Sequence, residues 1–217
     1  MDDFIIVTNT GKLGDFMLCF PVASWLYKRY NKKIHWVITK NFPGAEQCDT
    51  LIMNQEMTGK LTYIDYDVNF SQYGGQPYKF DPNLFGVNCE KYYNFGYRGP
   101  PDKYACEFMA EEYNIGYDED FCLNLGDDLP KTDKILCARN NIKDMIPQSE
   151  MIDLNLKVLD NLRILKSAKV AYCWKDAAGV ALSLAKVPFV LFRPNKQTFD
   201  HKIFIKMDNV LNEVIVD

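Results

Sequence analysis

A strand, a glycine-bearing loop, a helix and a second strand follow one another at the start of the chain, and that order narrows the fold more than any other feature. "FIIVT" (4–8) is a continuous apolar run of the kind buried on both faces of a parallel sheet. Over residues 15–30, Phe16, Cys19, Phe20, Ala23 and Leu26 recur at helical spacing, with Lys28 and Arg29 in the last turn. Pro21 lies inside this helix and is expected to kink it. "KIHWVIT" (33–39) is the next strand. Strand, helix and strand make a βαβ unit with a right-handed crossover, so the first half is an α/β layer.

The rest of the chain extends this pattern. "LTYID" (61–65) predicts a further strand. Residues 66–100 are rich in Tyr, Phe, Asn and Gly without a clean period, which predicts long loops with short elements. Their aromatics serve either as packing or as a binding surface. In "PPDKYACEFMAEEYNIG" (100–116), Pro101 suits a first helical turn, Asp102 a helix start and Gly116 a stop. "DDLPKTD" (127–133) is polar and carries a proline, and it divides the chain into lobes of residues 1–128 and 129–217.

The second half restarts with the strand "KILCA" (134–138), and a helix is expected within 149–163. "AKVAYCW" (168–174) is a strand, "DAAGVALSLAK" (176–186) a small-residue helix and "PFVLF" (188–192) a strand. "KIFIK" (202–206) predicts a last strand and "DNVLNEVI" (208–215) a last helix capped by Asp208. The expected fold class is α/β, with two Rossmann-like lobes facing a cleft and the second lobe reduced.

Charge follows the same division. The formal net charge is −4, but residues 1–130 hold 11 Lys+Arg against 19 Asp+Glu while residues 131–217 hold 14 against 10. The basic half suits a phosphorylated ligand or is a solvated surface. Cys19, Cys48, Cys89, Cys106, Cys122, Cys137 and Cys173 form no C-x-x-C pair, and several sit in apolar runs. They read as buried thiols in a reducing cytoplasm. No metal is expected, because His35 and His201 are the only histidines and neither has a cysteine at ligand spacing. "MDDFIIVTNT" does not read as a signal peptide. The longest apolar run, "FMLCFPVASWL", is shorter than the roughly 20 residues of a membrane helix. The expectation is a soluble, cytoplasmic protein without membrane insertion.

The loop 9–14 holds only Gly11 and Gly14, so it is not the dinucleotide fingerprint. Lys12 precedes its second glycine, so it is not a Walker loop either. Asp15 follows at a helix start, where a carboxylate caps the helix or stays ionised. In the second half, the start of helix 176–186 offers N–H groups of Ala177, Ala178 and Gly179, whose small side chains would let a phosphate approach the backbone. Arg139, Lys143, Lys175 and Arg193 lie at predicted strand ends or just beyond, where ligands of α/β sheets bind.

Two long stretches resemble one known family. "TGKLGDFMLCFPVASWLYKRYNKKIHWVI" resembles the opening of the bacterial heptosyltransferases, the ADP-heptose-type glycosyltransferases of lipopolysaccharide synthesis, in Leu13, Gly14, Asp15, Pro21, Leu26, Ile34, Trp36 and Val37. "LRILKSAKVAYCWKDAAGVALSLAKVPFVLFRP" resembles their segment in which a strand leads to an Asp-Ser-Gly or Asp-Thr-Gly loop, an Ala-rich helix and a Pro-led strand. "PDKYACEFMAEEYNIG" is similar to the helix that closes their first domain.

The resemblance implies a GT-B fold, with an acceptor-side first lobe and a donor-side second lobe. It implies that Asp15 is the general base that takes a proton from the acceptor hydroxyl. The donor would be a nucleotide sugar serving as co-substrate, with no other cofactor. Its diphosphate leaves against positive charge and N–H donors, which places Gly11, Lys12, Gly14 and Asp176 with the basic residues above on the donor side. The reaction would be inverting and metal-independent. The acceptor is a surface glycan, as in the family, or a hydroxymethylated DNA base, as in phage enzymes of the same broad architecture. The compact size and the Tyr-, Asn- and Lys-rich composition fit a phage source.

Departures from the family pattern keep a second reading open. Ala177 stands where the family has Ser or Thr, Gly179 is displaced by one position, and Val180 lies near the place of a histidine. Only about 30 residues separate strands 134–138 and 168–174, too few for several βα units. The family's final crossing helix is truncated or missing. A non-catalytic relic that binds a nucleotide or a protein is the alternative. A nucleotide hydrolase finds neither a metal cluster nor a Ser-His-Asp set here. A short donor lobe is also compatible with an oligomer in which a partner chain completes it.

Overall fold

The apolar runs at the start of the chain become the centre of a parallel sheet. The computed structural model describes residues 4–9, 13–40, 45–65, 80–96, 103–174, 176–194 and 209–216. Strands β1 (Phe4–Asn9), β2 (Lys33–Thr39), β3 (Thr58–Ile64) and β4 (Tyr92–Asn94) pair in the order β3-β2-β1-β4. All pairs are parallel, with Phe4 beside Lys33 and Ile6 beside Tyr92. β1 and β2 are buried along most of their length, as continuous apolar strands must be.

The helix expected over 15–30 is two helices, α1 (Leu13–Met17) and α2 (Phe20–Tyr30), separated by a turn at Leu18 and Cys19. Pro21 does not kink a continuous helix. It occupies the first turn of α2, where its missing N–H has no intrahelical partner to lose. Phe16 and Phe20 pack against Trp36 with ring centroids 5.0 and 5.3 Å away, fixing both helices on the sheet. α3 (Asp49–Met53) precedes β3.

Within 66–100 the described part contains a 3-10 turn, Pro82–Phe85, and the short strand β4. Phe80, Tyr93 and Phe95 are buried there. Tyr93 and Phe95 pack on Tyr113, just past α4 (Ala105–Glu112), at centroid distances of 5.3 and 5.6 Å. These aromatics are packing. Residues 66–79 and 97–100 lie outside the described residues, as do Pro101 and Asp102. α4 does not stop at Gly116. Asn114 takes the left-handed turn beyond it, with φ 52°. Gly116 instead lies against Trp25, where a Cβ would stand 2.5 Å from Nε1.

The second sheet is built from β5 (Ile135–Cys137), β6 (Glu150–Met151), β7 (Val170–Trp174), β8 (Phe189–Pro194) and β9 (Val210–Val216). They pair in parallel in the order β6-β5-β7-β8-β9. α5 (Asn140–Met145), α6 (Val158–Ser167) and α7 (Ala177–Leu184) complete the lobe. The helix expected within 149–163 begins only at Val158, and Glu150 and Met151 pair with β5 instead. The lobe expected to be reduced is shorter in chain but carries the larger sheet.

The last element is a correction. Residues 210–216 form a strand beside β8, not a helix. Val210, Val214, Ile215 and Val216 are β-branched, which disfavours a helix and suits a pleated edge. Asp208 and the strand expected over 202–206 lie outside the described residues.

One buried cluster runs from Val7 and Trp36 through Leu123 and Leu125 to Ala171 and Leu191, so the two sheets share a core through the helices between them. Leu123 N donates to Leu184 O at 2.9 Å across that join. Most of 127–133 is exposed and links the sheets. The seven cysteines are free thiols, with Cys122 exposed and Cys89 partly so. No helix among the described residues is long and apolar enough to cross a membrane.

Candidate functional site

Open parallel sheets bind ligands beyond the carboxyl ends of their strands, where neighbouring connections diverge. In the first sheet that point follows β1, flanked by β2 and β4, and the chain there enters α1. In the second sheet it lies between β5 and β7, the first and third strands of that lobe. Arg139 follows β5 and Asp176 follows β7. Arg139 Nε donates to Asp176 Oδ2 at 2.5 Å, so an ion pair bridges the divergence.

Asp176 divides its carboxylate between two tasks. Oδ1 accepts from Ala178 N at 3.0 Å and Gly179 N at 3.5 Å, which caps α7. The N–H groups of Ala178 and Gly179, expected to face a diphosphate, therefore donate to Asp176. A carboxylate already at a helix N-terminus opposes a second anion there. Gly179 has a structural task of its own. A Cβ on it would stand 2.5 Å from Trp174 O, so only glycine lets α7 begin this close to the end of β7.

The two ends of the chain meet at this helix. A methyl on Gly14 would stand 3.6 Å from Ala177 Cα, so α1 and α7 approach at near backbone distance. The segment Leu13, Gly14, Asp15 thereby abuts the start of α7. Asp15 is half-buried in the first turn of α1. One turn later the Cys19 thiol is pushed well above its ordinary pKa, first by burial and then by the charge of Asp15. Cys173 is raised in the same way, by burial and then by Asp176. Both thiols are neutral and make no nucleophile.

A cavity of about 550 Å³ opens beside this contact. Leu13 comes to its wall from the first lobe, and Ile152, Val158, Leu162 and Leu165 from the second. Arg139 and Asp176 supply charge to the same wall. The first lobe holds one side of it. Gln47 Nε2 donates to Leu154 O at 3.4 Å, and Lys157 Nζ pairs with Asp49 Oδ1 at 3.0 Å. Asn161 also lines the cavity, with Nδ2 donating to Asp153 O at 2.9 Å. Its Oδ1 is buried and has no partner among the described residues. An acceptor left in that state costs about 1–3 kcal/mol.

The structure sets Gly14 against Ala177, joins Arg139, Ala178 and Gly179 through Asp176, and puts Arg139, Asp176, Ala177 and Ala178 on the cavity wall. Asp15 adjoins Gly14 but does not line the cavity. Lys143 is exposed on α5, outside the cavity wall. Arg193 pairs with Glu213 on β9 at 3.1 Å, further along the sheet. Gly11, Lys12 and Lys175 lie outside the described residues. Sequence reading passed over the apolar wall of α6 and Asn161. The signal was present: Val158, Leu162 and Leu165 repeat at helical spacing, and Asn161 interrupts that buried stripe. Among the described residues, no three His, Cys, Asp or Glu side chains stand together as metal ligands would.

Two parallel sheets, joined by helices over a shared core, make a two-lobed α/β fold of the GT-B type. The particular likeness is to heptosyltransferases. No protein-family model matches the sequence, and no curated protein does. Solved structures do match in fold. The glycosyl transferase family 9 protein of Veillonella parvula superposes with a TM-score of 0.62 at 10% identity, over 98% of this chain and 85% of that one. The E. coli heptosyltransferase WaaC, solved with ADP, gives 0.60 at 8% identity, over 96% and 92%. E. coli ADP-heptose lps heptosyltransferase II gives 0.56 at 9% identity, over 98% and 90%.

Proposed function

We propose that the chain is a glycosyltransferase that moves a sugar from a nucleotide-sugar donor to an acceptor hydroxyl, with inversion and without a metal. The observation that carries this reading is the contact between the Asp15 segment and the start of α7 at the edge of a 550 Å³ cavity. The acceptor oxygen attacks the anomeric carbon, the bond from that carbon to the diphosphate breaks, and Asp15 takes the hydroxyl proton. Arg139 meets the developing charge of the diphosphate. Its Nε is held by Asp176, which orients the guanidinium and leaves the rest of its fork for phosphate oxygens. Asp176 is therefore a positioning residue. WaaC, solved with ADP and with ADP-2-deoxy-2-fluoro heptose, supports a nucleotide-sugar donor. The acidic first lobe favours a glycan acceptor over DNA, which needs a basic groove.

The carboxylate of Asp176 on the N–H groups of Ala178 and Gly179 opposes a diphosphate at that helix start and favours a second reading, a non-catalytic relic of the same fold that binds a protein, or a nucleotide held away from those N–H groups. Asp15→Asn separates the two. On the transferase reading, transfer falls by about 10²–10⁴-fold while nucleotide diphosphates still raise the thermal unfolding midpoint. A wild type that binds and never transfers selects the binding protein. Transfer within a few-fold of wild type in the variant reduces Asp15 to a helix-start residue.

A further inference from the structure

The break between α1 and α2 changes what meets the backbone of Asp15. Cys19 N donates to Phe16 O at 3.0 Å, three residues back, as the chain turns between the two helices. In a continuous helix that N–H would reach the carbonyl four residues back, which is Asp15 O. The Cys19 thiol stands at that carbonyl instead, with Sγ 3.5 Å from Asp15 O. Serine and threonine make the same bond four residues back, often where a helix bends.

The direction of the thiol bond follows from its neighbours. Asn9 is 1% exposed at the end of β1, and its Nδ2 lies 2.7 Å from Phe95 O and 3.2 Å from Cys19 Sγ. Phe95 O only accepts, so the amide nitrogen faces it, and that nitrogen only donates. Cys19 Sγ therefore accepts from Asn9. Its own hydrogen is left for Asp15 O or for Met109 Sδ, 3.7 Å away, and the carbonyl is the stronger acceptor. Burial first, and the charge of Asp15 second, hold the thiol protonated, so the hydrogen is there to give. α1 itself has five residues, too few to hold a helix alone. Gly14 rests on Ala177 at its start, and Cys19 ties its end, through Asn9, to the ends of β1 and β4.

We infer that Cys19 is a positioning residue for Asp15, its thiol holding the Asp15 carbonyl and so fixing where α1 carries the carboxylate. The inference rests on the proposed role of Asp15 as the base. Cys19 is fully buried, so it acts through Asp15 and does not touch the acceptor. A base displaced by about 1 Å loses much of its effect on the rate.

The whole chain is first screened for transfer from ADP-, CDP-, GDP- and UDP-linked sugars to monosaccharide and oligosaccharide acceptors. Cys19→Ala removes the donor to Asp15 O, whereas Cys19→Ser keeps one. Both shrink a buried side chain, so both should lower the unfolding midpoint. Cys19→Ala should lower kcat by roughly tenfold or more, with KM for the donor sugar within about twofold of wild type. Cys19→Ser should keep kcat within about threefold of wild type. This rescue separates positioning from packing, since both variants lose packing and only one loses the hydrogen bond. If Cys19→Ala keeps wild-type kcat, if Cys19→Ser falls as far, or if donor KM worsens in step with kcat, the inference fails. The base reading still stands in those cases, provided that Asp15→Asn abolishes transfer. If Asp15→Asn transfers within a few-fold of wild type, or wild type transfers from no donor, that reading fails and the inference falls with it.

Discussion

The two lobes use the same architecture at different density. The first takes residues 4–94 to place four strands, and the second takes 135–216 to place five. The first lobe spends its length on long connections and an aromatic core around Trp36. In the second, β5 and β6 are three and two residues long, and β9 closes the sheet with one face open to solvent. A short stretch of chain is thus not a small sheet. The second lobe is shorter in its connections and in strands β5 and β6, and its strand ends carry Arg139 and Asp176. On the proposed reading the lobes also differ in what they bring to the site: the Asp15 carboxylate from the first, and the Arg139–Asp176 ion pair with an apolar cavity wall from the second.

That division of labour predicts opposite kinetic signatures. Asp15→Asn should lower kcat by about 10²–10⁴-fold with little change in donor binding. On the proposed reading Arg139→Gln should weaken donor binding by about tenfold or more, because that reading gives Arg139 a charged contact to the diphosphate. Steady-state kinetics with the donor varied would check both. Equal losses of kcat and of donor affinity in the two variants would break the comparison.

Acid should act on the first lobe. His35 is buried on β2, its ring nitrogen 2.8 Å from Thr62 Oγ1. Burial first, and the charge of Lys60 second, push its pKa down from 6.5 to about 4. The folded state thus disfavours the protonated ring. Stability from this residue is fully present above pH 6.5 and is lost as the pH falls toward 4. The loss reaches about 3 kcal/mol below that pH. His35→Gln should flatten the difference in denaturant midpoint between pH 7 and pH 4. An unchanged slope would mean that the acid response comes from carboxylates.

Two glycines offer a steric version of the same comparison. Gly179→Ala drives a methyl to 2.5 Å from Trp174 O, a backbone atom that cannot swing aside. It should cost about 1–3 kcal/mol of stability. Gly14→Ala places a methyl in ordinary contact at 3.6 Å from Ala177 Cα. It should be neutral or stabilising by about 0.5–1 kcal/mol, since alanine is the better helix former. Chemical denaturation of both variants would check the contrast.

Much of this molecule was legible in the sequence because its strands are continuous apolar runs. β2 matches "KIHWVIT" residue for residue, and β1, β7 and β8 fall where the runs predict. What escaped was short or depended on tertiary partners. β4 and β6 have too few residues to show a period, and they are strands only because β1 and β5 pair with them. At the site, the segments around Asp15 and Asp176 could be picked out, but not that Asp176 turns its carboxylate onto the N–H groups beside it. Nor could its ion pair with Arg139 be picked out, since that joins the ends of two strands 37 positions apart. The cavity wall was legible in principle, since Asn161 interrupts an apolar helical stripe.

The smallest effect tests the element that the sequence misassigned. On a helix, Leu211, Val214 and Ile215 would share one face, being three and four positions apart. On a strand, neighbours point to opposite faces, so Val214 and Ile215 must differ. In the structure Val214 packs toward Cys137, Val190 and Phe192, while Leu211 and Ile215 are 62% and 53% exposed. Val214→Ala should therefore cost about 1 kcal/mol, and Ile215→Ala less than about 0.5 kcal/mol. Equal costs would favour a shared helical face. A large cost at Ile215 alone would mean that its face is covered in solution, and the open edge that distinguishes the second lobe would then be an interface.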